Sequence, residues 1–432
     1  MPFQAGLDFV EKPGLDLWLR RVILMLGLPL LFLPKVNIIE VAGESAGLRI
    51  DDIVLFALIP LVALAMAVRR RPAVSRAECA FVVMLTLFMV SSVVNFVVFG
   101  RSNPLYAVRF AEYFLFYYIG VYCGAGLTYI CYSLLGVNAI FMVLQACSLI
   151  GGFASEGYVP SAANRPFGLT GGPWEIGAVI NIVFAALLYD GRRKYWLLFI
   201  ATFALLLLCG ARSPAVIHLI VFGVFLFRRS KHKGALLIRG GTVLAVGLIA
   251  FLAIPNKVTE RSQYLFNPDN LVLAQKIYER TELDPHFTSF EKVDNGAGIL
   301  DSESDTSWLL RATKWMYACK TWATTPVAWV IGLGPGMWGP SLDGGWLRLL
   351  TETGALGLLA FVLFFNTLSS TPLLKAVRLC VYLNMAFIDI YISYKTMSLV
   401  FLIAGATVGT ARFARAQETA SELPRLGAAT PG

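Results

Sequence analysis

The feature that most limits what this chain can become is a long series of apolar runs, most near twenty residues, set apart by short polar connections. Hydrocarbon holds no water to satisfy backbone N–H and C=O groups, so a segment crossing it does so as a helix bonded to itself. About twenty apolar residues cross the hydrocarbon core. Twelve stretches qualify as candidates: 20–38, 52–68, 77–99, 105–123, 127–151, 174–190, 195–210, 214–228, 236–254, 346–366, 377–393 and 396–411. Several are short on their own, and 377–393 carries Asp389. Composition agrees, because 57% of residues are hydrophobic and 15% charged, against about a quarter charged in soluble domains. The sequence predicts an all-α polytopic membrane protein of about twelve transmembrane helices.

The formal net charge of +9 sits in short basic runs between apolar segments. Arg20-Arg21, Arg69-Arg70-Arg71, Arg192-Arg193-Lys194, Arg228-Arg229 with Lys231 and Lys233, Lys375 with Arg378, and Arg412 with Arg415 all fall on one side. By the positive-inside rule that side is cytoplasmic, with both termini inside. Such placement orients helices and leaves no basic stripe on a soluble domain, which argues against a nucleic-acid partner. Residues 1–254 then carry spans one to nine, 255–345 form a large outer loop, 346–415 carry spans ten to twelve, and 416–432 form a small, polar tail read as disordered. Met1 to Leu19 lacks a signal-peptide layout, so the first apolar segment is expected to stay in the membrane. The seven cysteines form neither a disulfide framework nor a CxxC pattern, and His218, His232 and His286 stand apart, which points away from a zinc site. No internal repeat is evident, so the inverted symmetry of many transporters is not on view.

Polar residues inside or beside the apolar segments mark where chemistry is to be sought. Arg109 and Glu112 lie one helical turn apart, as an internal ion pair would. Glu352 and Asp389 need partners that the sequence does not name. Arg165 opens the Gly/Pro-rich stretch Arg165-Pro166-Phe167-Gly168-Leu169-Thr170-Gly171-Gly172-Pro173-Trp174-Glu175, and Arg212 sits in Gly210-Ala211-Arg212-Ser213-Pro214. Each is open to two readings. One is an interfacial arginine reaching for headgroups; the other is an anion site, since guanidinium forks and helix-end N–H groups suit phosphate oxygens.

In the long loop, Trp308, Trp315 and Trp322 recur every seven residues after Asp305, a candidate helix cap, with Arg311, Lys314 and Lys320 near the same face. An amphipathic helix resting on the membrane and a sugar-binding surface both use these residues. Beyond them lie Gly332-Leu333-Gly334-Pro335-Gly336 and Asp343-Gly344-Gly345-Trp346, glycines too dense for helix interior. Asp343 is the one carboxylate between this turn and the next large helix, placed either as a turn or cap aspartate or as a general base.

Laid out in this order, the chain resembles the O-antigen ligase/polymerase family of bacterial membrane glycosyltransferases. The resemblance rests on Arg165-Pro166-Phe167-Gly168 with Pro173, Gly210-Ala211-Arg212, Asp305-x-Ser307-x-x-x-Arg311, Gly332-Leu333-Gly334-Pro335-Gly336, and Trp346-Leu347-x-Leu349-Leu350-x-Glu352-x-Gly354-x-x-Gly357. It implies glycosyl transfer at the periplasmic face of the bacterial inner membrane, inverting and metal-independent, with no cofactor. The implied donor is a polyprenyl-diphosphate-linked oligosaccharide, and a chain-length-regulating membrane protein is a further partner it leaves open. Arg165, Arg212 and Asp343 take the catalytic places, and Arg311, Lys314, Trp308, Trp315, Trp346, Trp174 and Glu175 the substrate-binding ones. Ligases of the family place a histidine just before the Leu-Leu-x-Glu-x-Gly helix; here that position falls to Asp343, which favours a polysaccharide polymerase. A ligase passing glycan to lipid A core or protein, and a polysaccharide flippase, are the alternatives.

Overall fold

The computed structural model describes residues 13–34, 37–41, 44–68, 75–99, 105–151, 165–189, 195–229, 269–283, 306–339 and 341–427, with Gly234 and Gly241. Helices in chain order are α1 (Pro13–Gly27), α2 (Ile50–Val68), α3 (Arg76–Phe99), α4 (Leu105–Cys123), α5 (Leu127–Ala146), α6 (Pro173–Leu188), α7 (Tyr195–Leu208) and α8 (Arg212–Arg229). They continue as α9 (Asp269–Arg280), α10 (Thr306–Thr324), α11 (Pro326–Ile331), α12 (Gly345–Leu368), α13 (Pro372–Asn384) and α14 (Tyr394–Gly427). The architecture is helical. Its one departure among the described residues is an antiparallel hairpin, β1 (Asn37–Val41) and β2 (Glu44–Arg49), leading into α2.

Five of the described helices are long and apolar enough to cross a membrane: Ile50–Val68, Arg76–Val97, Leu127–Ala146, Gly345–Leu368 and Tyr394–Ala411. Pro173–Leu188 and Tyr195–Leu208 are shorter apolar helices. Apolar side chains face outward on α2 and α3, as at Phe56, Val82, Phe96 and Val97, a pattern that suits lipid rather than water. The candidate span 236–254, apart from Gly241, lies outside the described residues, as do 255–268, 284–305 and 340 of the long loop.

Three expectations change. The stretch 20–38 is not one helix: α1 stops at Gly27, and Pro29 and Pro34 follow, each lacking the N–H that a continuing helix would use. The stretch 377–393 is broken as well, because α13 ends at Asn384 and the chain unwinds through a 3-10 turn at Ile390–Ile392. That break frees the Asp389 carboxylate to accept from other segments. The tail, read as disordered from 416, continues α14 as helix to Gly427.

Close packing is set by small residues, as expected where lipid offers no hydrophobic drive between helices. α4 and α14 touch backbone to backbone, and a Cβ on Gly405 would fall 1.8 Å from the Tyr117 carbonyl oxygen. A layer of rings fills the remaining space around α4, including Phe81 stacked on Phe114 at 3.9 Å and Phe110 against Tyr391 at 5.8 Å.

Candidate functional site

The Gly-rich turn and the start of α12 are built around a buried arginine. α12 is kinked at Gly354, where φ is +67° and ψ −174°, a conformation open to glycine alone in practice. A Cβ there would lie 2.3 Å from the Val330 carbonyl, and one on Gly332 would lie 2.2 Å from the Glu352 carbonyl. The two glycines therefore let the turn lie directly on the helix. Leu333 N–H donates to Thr351 O and Gly334 N–H to Glu352 O, both at 2.8 Å. Arg348 is fully buried beneath them. Its Nε donates to Glu352 Oε1 at 3.0 Å, its Nη1 to Asp389 Oδ2 at 3.1 Å, and its Nη2 to the Gly339 carbonyl at 2.6 Å. Tyr391 donates its hydroxyl to the second Glu352 oxygen at 2.8 Å.

Asp389 in turn closes the far end of the turn. Oδ2 accepts the Leu342 N–H at 2.6 Å and the Asp343 N–H at 3.1 Å, and Oδ1 accepts the Gly344 N–H at 2.9 Å. Three successive N–H groups converging on one anion form a nest. Asp343 has the left-handed φ, +61°, that such a concavity requires. The Asp343 side chain leaves in the opposite direction and meets Arg311 Nε at 3.3 Å, with both side chains about one-third exposed. α10 lies across the outer surface of the turn through one face. Lys314 Nζ donates to Ser341 O at 3.1 Å and Trp315 Nε1 to Leu342 O at 3.1 Å. Arg311, Lys314 and Trp315, spaced i, i+3, i+4 on one face of α10, thus meet around Asp343.

The second piece is the loop ahead of α6. Gln145 Oε1 accepts the N–H groups of Phe167 and Gly168 at 2.9 and 2.8 Å, and Asn138 Oδ1 accepts that of Leu169 at 3.0 Å. Arg165 donates Nε to Cys209 O at 3.1 Å and Nη2 to Gly210 O at 2.8 Å, covering the C-terminal end of α7. Arg212, half-buried, begins α8 two residues later. Glu175 is buried, accepting from Gly171 N–H at 2.6 Å and from the Ser393 hydroxyl. Lys395 donates to the Leu169 carbonyl, and the carboxylates of Glu175 and Asp51 are the charges that act on its ammonium.

The segment Asp389–Lys395 joins the two pieces, holding the Asp343 turn at one end and the Arg165 loop at the other. The N-termini of α2, α6, α8, α12 and α14 gather at this end of the bundle, each with the positive end of its dipole. Asp51, Asp52 and Glu175, in the first turns of α2 and α6, match that field. The same end carries Arg165, Arg212, Arg311 and Lys314.

Two expected site residues fall elsewhere. Trp346 turns into the helix core, donating Nε1 to Tyr382 O at 2.9 Å with its ring 5.0 Å from that of Tyr382. Glu175 bonds to protein groups on both oxygens, which makes it a brace for the Arg165 loop rather than a substrate ligand. Trp174, partly exposed, packs its indole over Gly172 at the rim. The Trp308 side chain and Asp305 lie outside the described residues. Sequence reasoning missed Arg348, Lys395, Gln145 and Asn138. Arg348 carried a signal, its i, i+4 spacing to Glu352, while the other three are identified only by what they touch. The chain matches no protein-family model and no curated protein sequence.

Proposed function

We propose that this protein is a bacterial polysaccharide polymerase of the O-antigen ligase/polymerase type. It is a glycosyltransferase of about twelve spans, set in the inner membrane with both termini cytoplasmic and the site facing the periplasm. The growing glycan on polyprenyl diphosphate is the donor, and a sugar hydroxyl of another lipid-linked repeat unit is the acceptor. The acceptor oxygen attacks the anomeric carbon and the bond from that carbon to the diphosphate oxygen breaks. The leaving diphosphate keeps the electron pair, and its growing charge is taken up by Arg165 and Arg212. The hydroxyl proton passes to the Asp343 carboxylate, whose orientation Arg311 holds. Lys314 and Trp315 bind sugar or phosphate groups beside it.

The observation that carries this reading is the Asp343 turn. A carboxylate one-third open to its surroundings stands on backbone fixed by three N–H bonds to a buried anion, with two cations and an indole around it. A fixed backbone is what a general base needs, since catalytic groups act only from a pre-set geometry. The surface glycan of a deletion strain tests the function. A single repeat unit at the surface supports the polymerase. Unattached polymer accumulating outside would mark a ligase, and lipid-linked repeats retained inside would mark a flippase; either overturns the proposal.

A further inference from the structure

The depth at which α11 sits can be read from its neighbours. α3 and α12 run antiparallel, with Phe88 beside Gly357 and the Ser91 hydroxyl donating to Glu352 O at 2.9 Å. One turn further on, the Asn95 amide donates to Gly332 O at 3.1 Å. α11 joins this stack through Val330, whose carbonyl lies against Gly354. Val330 is therefore level with Ser91 or deeper. The outward-facing apolar band of α3 continues well past that height, because Phe96 and Val97 are 63% and 76% exposed. Six residues separate Ser91 from Val97, about 9 Å at the helical rise of 1.5 Å per residue. The band of α12 continues on the other side of the same height, through exposed Leu356, Leu359 and Leu363.

α11 suits that depth. Pro326–Ile331 contains no charged residue, and Val327, Trp329 and Val330 are each about half exposed. The indole N–H of Trp329 is satisfied by Trp322 O at 2.9 Å and that of Trp322 by Ala328 O at 3.0 Å, so neither needs water. The irregular backbone after the helix is bonded to protein too. Gly332 N–H donates to Ala328 O, Leu333 N–H to Thr351 O and Gly334 N–H to Glu352 O, and residues 332–335 are buried. Non-helical backbone at membrane depth is tolerated under that condition.

We propose that Pro326–Gly334 is a re-entrant segment, inserted into the leaflet at the Gly345 end of α12. Its Val327–Trp329–Val330 face packs against lipid acyl chains, continuous with the lipid-facing bands of α3 and α12. It rests on α3 and α12 being membrane spans and is independent of the chemistry proposed above. If that chemistry holds as well, the Asp343 turn stands at headgroup height, where a lipid-linked diphosphate reaches it from within the bilayer.

The test uses the unaltered full-length protein in bilayers containing a phospholipid with a diazirine in its acyl chain. After illumination and digestion, peptides are mapped by mass spectrometry. Adducts on Val327–Ile331 at a yield comparable to Leu356–Leu363, and none on Gln275–Arg280, are expected. In the same bilayers, hydroxyl-radical footprinting should oxidise Tyr278 of α9 and leave Trp329 unmodified. Absence of acyl-chain adducts at 327–331, or oxidation of Trp329 as fast as Tyr278, overturns the insertion. Cross-links between copies through 327–330 in place of lipid adducts would make this face a subunit contact and overturn it equally. Neither readout depends on glycan synthesis, so failure here is distinct from failure of the polymerase reading.

Discussion

Asp389→Asn keeps the size of the side chain and removes its charge, which makes it the sharpest probe of how the site is held. The native carboxylate takes four donors: the N–H groups of Leu342, Asp343 and Gly344, and Arg348 Nη1. An asparagine carbonyl can stand in for one oxygen only. Placed as Oδ2 it keeps Leu342, Asp343 and Arg348, and its amide then points hydrogens at the Gly344 N–H. Arg348, with no exposure to solvent, retains Glu352 alone as counter-charge. Removing one partner of a buried ion pair costs about 3–5 kcal/mol, a large share of a net stability of about 5–15 kcal/mol. Asp343→Asn breaks a pair that is about one-third exposed, and such pairs are worth about 0–1 kcal/mol. The assay is unfolding of the purified protein in mixed micelles by SDS titration, followed by tryptophan fluorescence. Asp389→Asn should shift the transition by several kcal/mol and Asp343→Asn by no more than about 1 kcal/mol. A double-mutant cycle of Asp389→Asn with Arg348→Met should give a coupling of about 0.5–3 kcal/mol. Wild-type stability of Asp389→Asn, or zero coupling, would refute the account of Arg348 and Asp389 as the hub of the turn.

Other expectations are separable from that one. Polymer formation from lipid-linked repeat units by purified Asp343→Asn should fall about a hundred- to ten-thousand-fold while abundance is unchanged; activity within a few-fold of wild type removes the base role. Gly354→Ala should lose about 1–3 kcal/mol from its backbone angles alone, and more from the 2.3 Å approach to Val330, as read from the same SDS titration. Arg165→Lys keeps the charge but cannot reach both Cys209 O and Gly210 O, so it should destabilise by about 1.5–3 kcal/mol as well as lose activity. A normal glycan ladder from both Arg165→Ala and Arg212→Ala would leave these arginines as structural anchors.

Much of the fold was legible because membrane helices obey a local rule. Wherever the chain is apolar for long enough, its backbone has to bond to itself, and the stretches 52–68 and 77–99 became α2 (Ile50–Val68) and α3 (Arg76–Phe99) almost unchanged. Glycine density between 332 and 345 likewise marked a shaped turn, and the spacing of Arg311, Lys314 and Trp315 placed them on one face of α10. Pro29 carried a local stop signal that average hydropathy concealed. These features depend on residues within a few positions of one another, so the sequence by itself determines them.

Which buried charge pairs with which is a different kind of fact. Asp389 meets Arg348 across 41 residues and Tyr391 meets the Glu352 carboxylate across 39, and no local pattern encodes either choice. Hydropathy averaging ran one span through Asp389, whereas the chain unwinds there because the carboxylate finds three N–H groups on a turn some 45 residues away. Arg348, read alone, is an ordinary residue in Trp-Leu-Arg-Leu-Leu. Only the contact of α12, α13 and the Gly-rich turn makes it the centre of the site, because an ionised group buried away from water is stable only where its partners converge on it.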